Sequence, residues 1–282
     1  MASVLMAFDP ASTNFPAFLD YNNFTEYLLR YNVLLSNPDN ITQLGYDFFW
    51  LGFGFQVLAT FVFLYLTLFH GKAARKLHVL QLGVVGTAAV AYYAMARGQG
   101  GVPLPNDVLS GFRYFYWARY AEWAVTVPLT IYSLAVLADV RIIETTLATI
   151  VASVIMVVCG LNGALSQSSS RWGWFGLGVW GLFLTLVGLF GNIRKAAYAK
   201  SESVGFTYTY LVFLILGSWI AYPVIWVIGE GTRAVTVDVE ILLYAIFDVI
   251  TKVVFGFALL MSEPVHGFPN AGDLDLVKTS KL

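Results

Sequence analysis

The strongest constraint on this chain is a series of apolar runs, each about the 20 residues an α-helix needs to cross the hydrocarbon of a bilayer. They lie near 46–70, 77–96, 114–138, 146–165, 172–191, 206–228 and 239–261. In lipid every backbone N–H and C=O must be satisfied inside its own segment, so runs of this length fold as helices. Composition agrees, since 58% of the 282 residues are hydrophobic and 12% charged, well outside ordinary soluble usage. The joining segments are short, as in "GKAARK", "DVRIIE" and "SQSSSR". The expected fold is therefore all-α and membrane-embedded, one seven-transmembrane helix bundle (46–262) between a polar N-terminal head (1–45) and a polar tail (263–282).

Basic residues set the expected orientation. With the N-terminus outside, the inner segments hold Lys72, Arg75, Lys76, Arg141, Arg194, Lys195, Lys200, Lys278 and Lys281, and the outer ones Arg30, Arg97, Arg113, Arg171 and Arg233. The inner excess predicts N-out, C-in. The opening "MASVLMAFDPASTNF" lacks a basic n-region and an unbroken apolar core, so no cleavable signal peptide is expected. Two sequons, Asn23-Phe24-Thr25 and Asn40-Ile41-Thr42, fall in the outer head and lean toward a eukaryotic host. A net charge of −1 offers no basic field for nucleic acid. The lone Cys159 excludes an internal disulfide, reads as a small core residue, and leaves no metal site in prospect.

Against this apolar background the stretch 244–261, "YAIFDVITKVVFGFALLM", buries Asp248 and Lys252 one helical turn apart. The third run, "YWARYAEWAVTVPLTIYS", places Arg119, Glu122 and Thr126 on one face. Each ionisable residue at mid-membrane costs roughly 2.5–3.5 kcal/mol on translocon scales, so such groups face the bundle interior and mark function. Arg119 and Lys252 cancel Glu122 and Asp248, which predicts a neutral four-membered cluster. Trp219, Tyr222 and Trp226 share one face of the sixth run beside Pro223, and with Trp123 would line a flat-walled slot. Trp50, Trp172 and Trp174, near run ends, read instead as membrane-surface aromatics. A desolvated lysine amine beside a carboxylate and an aromatic slot suits Schiff-base formation with an elongated apolar aldehyde.

These motifs carry a resemblance. "DVITKVVFG", "WARYAEWAVTVPL", "WIAYPVIWVIGEG", "YYAMA" and "MVVCGLNGAL" occur in the order and spacing of the microbial (type 1) rhodopsins, the seven-helix retinal proteins. The chain resembles the proton-pump-like eukaryotic and fungal members most. The resemblance implies that Lys252 binds all-trans retinal covalently as a protonated Schiff base. Glu122 would be primary counterion and proton acceptor, and Asp248 second counterion. Arg119 would relay the change at Glu122 toward Glu230 and Glu240, a proton-release pair at the outer mouths. Thr126 is expected to hydrogen-bond Glu122, and Tyr93 with Tyr222 to complete a polar wall near Asp248. Trp123, Thr130, Met156, Gly160, Phe175, Trp219 and Trp226 would complete the retinal pocket, Thr130 resembling a colour-tuning position.

Departures from the family pattern bear on mechanism. The acceptor position holds Glu122 where most outward pumps carry Asp, and the residue eleven further on, often a carboxylic acid, is Ser133. Ser153 and Val127 jointly replace a fourth-helix acid and a third-helix threonine. The expected activity is light-driven outward proton pumping by a multi-pass protein of the plasma membrane, in contact with lipid and not an enzyme. Trimers are implied by the resemblance alone. A slow-cycling photosensor is the alternative, favoured by Ser133. A light-gated channel ranks third because "LHVLQLGVVGTAAVAYYAMA" contains no carboxylate. Chloride pumping is disfavoured because an anion would share its space with Glu122.

Overall fold

The computed structural model describes residues 40–69, 75–105, 112–140, 143–166 and 168–266. The Asn23 sequon, Arg30, most of the head, Lys72, Arg141 and the tail with Lys278 and Lys281 lie outside the described residues. Among the described residues, seven helices are long and apolar enough to cross a membrane: α1 (Gln43–Phe69), α2 (Arg75–Ala96), α3 (Ala118–Leu137), α4 (Ile143–Leu165), α5 (Ser170–Lys200), α6 (Glu202–Gly231) and α7 (Val237–Leu260). A short α8 (Glu263–His266) follows. Large apolar side chains such as Phe61, Phe69 and Val90 are exposed on the outer face, as a lipid-contacting surface requires.

Two boundaries differ from the sequence expectation. The third run begins at Ala118 rather than near 114, because β2 (Phe112–Phe115) pairs antiparallel with β1 (Val102–Pro105), Leu104 facing Arg113 and Val102 facing Phe115. Along β2 the buried residues alternate, Arg113 and Phe115 turning inward, which is the period of a strand. The segment "NIRKAAYAKSES", expected as a connection, is instead largely helical. Its Ala, Arg and Lys residues favour helix in water as well as in lipid, so α5 outruns its apolar length. α5 bends at Gly191 (φ −86°, ψ −112°) and gives way at the extended Ser201, whose side chain caps α6 by accepting from Val204 N at 3.2 Å.

Helix packing positions the site. α4 and α5 approach so closely that a Cβ at Gly181 would lie 2.9 Å from Met156 N and 3.0 Å from Ala152 O. At one end of the bundle the interior is aliphatic and aromatic, with Phe63, Ile131, Leu134, Leu211, Ile215 and Phe255 fully buried. Toward the hairpin the interior is polar and tyrosine-rich, with Tyr92, Tyr116, Tyr120 and Tyr244 buried. Besides the π-type segment at the α5 bend (Leu189–Ile193), two more helices widen into π-type turns, α6 at Val227–Gly231 and α7 at Val249–Val254. These turns carry Glu230 and Lys252, in keeping with the frequent placement of π-bulges at functional sites.

Candidate functional site

Lys252 sits at the centre of the bundle, 3% exposed, between two unequal carboxylates. Asp248, one turn before it on α7, is saturated with donors. Its Oδ1 accepts from Trp123 Nε1 at 3.1 Å, from Tyr222 Oη at 2.8 Å and from Lys252 Nζ; its Oδ2 accepts from Tyr92 Oη at 2.8 Å. Glu122, reaching in from α3, has its Oε2 3.4 Å from Lys252 Nζ, while its Oε1 is buried with no hydrogen-bond partner. Thr126 shares the Glu122 face, but the hydrogen bond expected between them is not well formed, Thr126 Oγ1 being buried without a partner in good geometry.

The polar wall near Asp248 requires a correction. Tyr222 is there, but Tyr93 is not: it is 46% exposed and packs on the outer surface against Trp50 and Phe53. Its neighbour Tyr92, 3% exposed, supplies the hydroxyl. Successive residues on a helix point about 100° apart, so only one of two adjacent tyrosines can face the interior.

From Lys252 an apolar cavity of about 850 Å³ runs between α3, α4, α5 and α6. Trp123, Thr126 and Thr130 line it from α3, Met156 and Gly160 from α4, Phe175 from α5, and Trp219, Tyr222 and Trp226 from α6. Phe175 stacks on Trp226, ring centroids 4.9 Å apart, and Trp226 Nε1 donates to Gly160 O at 3.1 Å, which fixes the far end. The lining, largely aromatic and aliphatic with a few polar groups near the amine, is that of a small-molecule pocket. Tyr120, Tyr244 and Thr251 also line it without having been singled out from the sequence. Tyr244 was legible in principle, since Glu240, Tyr244, Asp248 and Lys252 recur every fourth residue along one face of α7.

The single four-charge cluster expected is in fact two. Arg119 turns away from Glu122 toward the hairpin end, where its Nη1 lies 3.1 Å from Glu240 Oε1 and 3.7 Å from Glu230 Oε1. Its guanidinium lies over the Tyr244 ring, 4.0 Å from the centroid. Charge-assisted hydrogen bonds and an aromatic face hold this long side chain better than a half-satisfied Glu122 could. Glu230 and Glu240 are not solvated loop charges: they are 6% and 4% exposed. Arg113 Nη2, from β2, closes on Glu240 Oε2 at 2.8 Å. No periodicity signals Arg113, because only the hairpin brings it there. Beside the hairpin, burial pushes the Tyr116 hydroxyl above the usual tyrosine range, so it stays neutral.

On the other side of Lys252, Ser133 accepts from Gln81 Nε2 at 2.8 Å and donates to Leu129 O at 2.8 Å. Ser153 donates to Ile150 O at 2.7 Å, a local bond that binds it to its own helix.

Comparison with known proteins bears directly on this geometry. Residues 45–263 match the family described as "Bacteriorhodopsin-like protein". Opsin-1 of Neurospora crassa is 34% identical over 237 residues, covering 78% of this chain and 77% of that protein. The crystal structure of the light-driven proton pump Coccomyxa subellipsoidea rhodopsin is similar with a TM-score of 0.76 at 34% identity, over 79% of this chain and 98% of that one. Halorhodopsin, a light-driven chloride pump, shares the fold (TM-score 0.74) at 23% identity over 79% of this chain and 96% of that one. Members of the matched family bind retinal through a lysine. The pocket fits such a group: a buried amine at one end, aromatic walls along its length, and orphaned polar atoms on Glu122 and Thr126 beside the amine.

Proposed function

This chain belongs to the bacteriorhodopsin-like family of seven-helix membrane proteins, which are light-driven transporters and photoreceptors rather than enzymes, and on that premise we propose that it is a retinal-binding, light-driven outward proton pump of the plasma membrane, oriented N-out and C-in. Lys252 would hold all-trans retinal through its amine, with Trp123, Trp219, Tyr222, Trp226, Met156, Gly160, Phe175 and Thr130 around it. When bound, the chromophore supplies absorption of light and a change of shape at the Lys252 nitrogen.

One observation carries the reading: the two carboxylates beside Lys252 Nζ are unequally satisfied. Four donors on Asp248 favour its ionised form, so it serves as a fixed counter-charge. Glu122 keeps Oε1 unpartnered, and a carboxyl that gains a proton there loses no hydrogen bond. Glu122 is thus the acceptor for the proton that Lys252 Nζ holds in the dark. Neutralising Glu122 weakens its pull on Arg119 one turn away, which strengthens the hold of Arg119 on the Glu230 and Glu240 pair and favours release there. Illuminated cells supplied with retinal should acidify their medium, and a protonophore should abolish the signal; unchanged pH under bright light would retire the pump.

A photosensor is the second reading, favoured by Ser133. Bonded to Gln81 and to its own helix, it places no acid between Lys252 and the inner face. Return of a proton to Lys252 would then be slow, and a photocycle of seconds with no transport would support sensing.

A further inference from the structure

Arg113 lies on β2, outside the seven helices, yet ties the hairpin to a buried carboxylate of α7. Its Nη2 donates to Glu240 Oε2 at 2.8 Å and its Nη1 to Val235 O at 2.9 Å. The second oxygen of Glu240 accepts from Arg119 Nη1 at 3.1 Å, so guanidinium donors meet both. Both oxygens of Glu240 thus take charge-assisted hydrogen bonds.

Glu230 is held differently. Its oxygens accept from two phenols, Tyr120 at 2.9 Å and Tyr244 at 3.0 Å, and Arg119 stands off at 3.7 Å. A hydroxyl can rotate to accept as readily as it donates, so this pair serves a protonated carboxyl as well as an ionised one. The groups facing Glu230 are Arg119 and Tyr120 from α3 and Tyr244 and Glu240 from α7. Arg113 from β2 and Arg233 from the α6–α7 turn line the same vestibule of about 270 Å³. Two buried carboxylates that share one guanidinium do not both ionise without cost, and the less well paired one keeps the proton.

Resting on the pump reading, we infer that Glu230 alone holds the proton that leaves, that Glu240 stays ionised throughout, and that Arg113 is the positioning residue that enforces this division. On release the O–H bond of Glu230 breaks, its electron pair stays on the carboxylate, and the proton passes to water in the vestibule. Arg119 Nη1 then closes the gap to Glu230, while Arg113 keeps Glu240 neutralised. Without Arg113, a shift of Arg119 would take from Glu240 the guanidinium donors that meet its two oxygens, and the two carboxyls would compete for the proton.

The test is difference infrared spectroscopy of the purified pigment, dark against late photocycle, with a soluble pH dye reading release. A protonated-carboxyl C=O band should be lost as the dye reports the proton. E230D should move that band and E240D should leave it in place. R113Q should broaden or displace it and delay release, and R113K should restore both. A band that follows E240D, or that R113Q leaves untouched, would overturn the inference. Net acidification by cells is measured separately, so wild-type pigment that releases a proton at Glu230 without transporting it would end the pump reading and leave the assignment intact.

Discussion

Tyr92 of α2 and Asp248 of α7, 156 residues apart in the chain, meet in a buried 2.8 Å hydrogen bond. The neighbouring Tyr93 faces outward. Tyr92→Phe removes a bond to a charged group and should cost about 1.5–3 kcal/mol of stability, with a change of colour. Tyr93→Phe should stay within about 0.5 kcal/mol and keep the spectrum. Thermal bleaching of both variants side by side checks this, and equal effects would mean the tyrosine was misassigned.

Lys252→Ala should give no pigment with added retinal. It also strips the cation from between Glu122 and Asp248, at a cost of about 3–5 kcal/mol for an uncompensated buried charge. Helix content by circular dichroism separates loss of attachment from loss of fold. A coloured Lys252→Ala protein would refute the attachment site.

Glu122→Gln removes a negative charge beside Lys252 Nζ while keeping the side chain's size. Light-driven acidification should stop and the absorption band should move to longer wavelength, because the cationic ground state loses its counter-charge. Acidifying the wild-type protein protonates the same carboxylate, so it should produce the same red shift, whereas Glu122→Gln should lose that titration. A wild-type spectrum constant from acid to alkaline pH would contradict the assignment.

Ser133→Asp places an acid where Gln81 Nε2 can hold it. A positioned proton donor accelerates transfer on the order of 10²-fold, so flash photolysis should show a correspondingly faster return to the dark state. An unchanged rate would mean that the proton returns by another path.

Gly181 lets α4 and α5 approach through backbone atoms that cannot move aside. Gly181→Leu should lower stability by roughly 1–3 kcal/mol, measured by denaturant titration in detergent, and should narrow the pocket wall formed by Gly178 and Leu182. Unaltered stability would show that the helices part without penalty.

The seven spans, the pairing of Lys252 with Asp248 and Glu122, and most of the pocket lining were legible in the sequence, because each follows from local periodicity. Asp248 and Lys252 share a face whatever surrounds them, as do Trp219, Tyr222 and Trp226. What escaped was set between elements. Tyr93 was expected near Asp248 and Tyr92 is found there, because hydropathy does not say which side of α2 meets α7. Arg119 was assigned to Glu122 by helical spacing, yet its side chain is long enough to choose Glu240 and Glu230 instead.

By itself, then, the order of amino acids determined that this chain spans a membrane seven times and buries a lysine among acids, since a bilayer offers an apolar run no other fate and leaves a buried charge no solvent. Only the tertiary structure decided how those charges divide into two groups, which tyrosine faces Asp248, and that a hairpin arginine reaches Glu240. Those outcomes depend on the rotation of each helix about its axis and on contacts across more than a hundred residues. Sequence periodicity does not encode either.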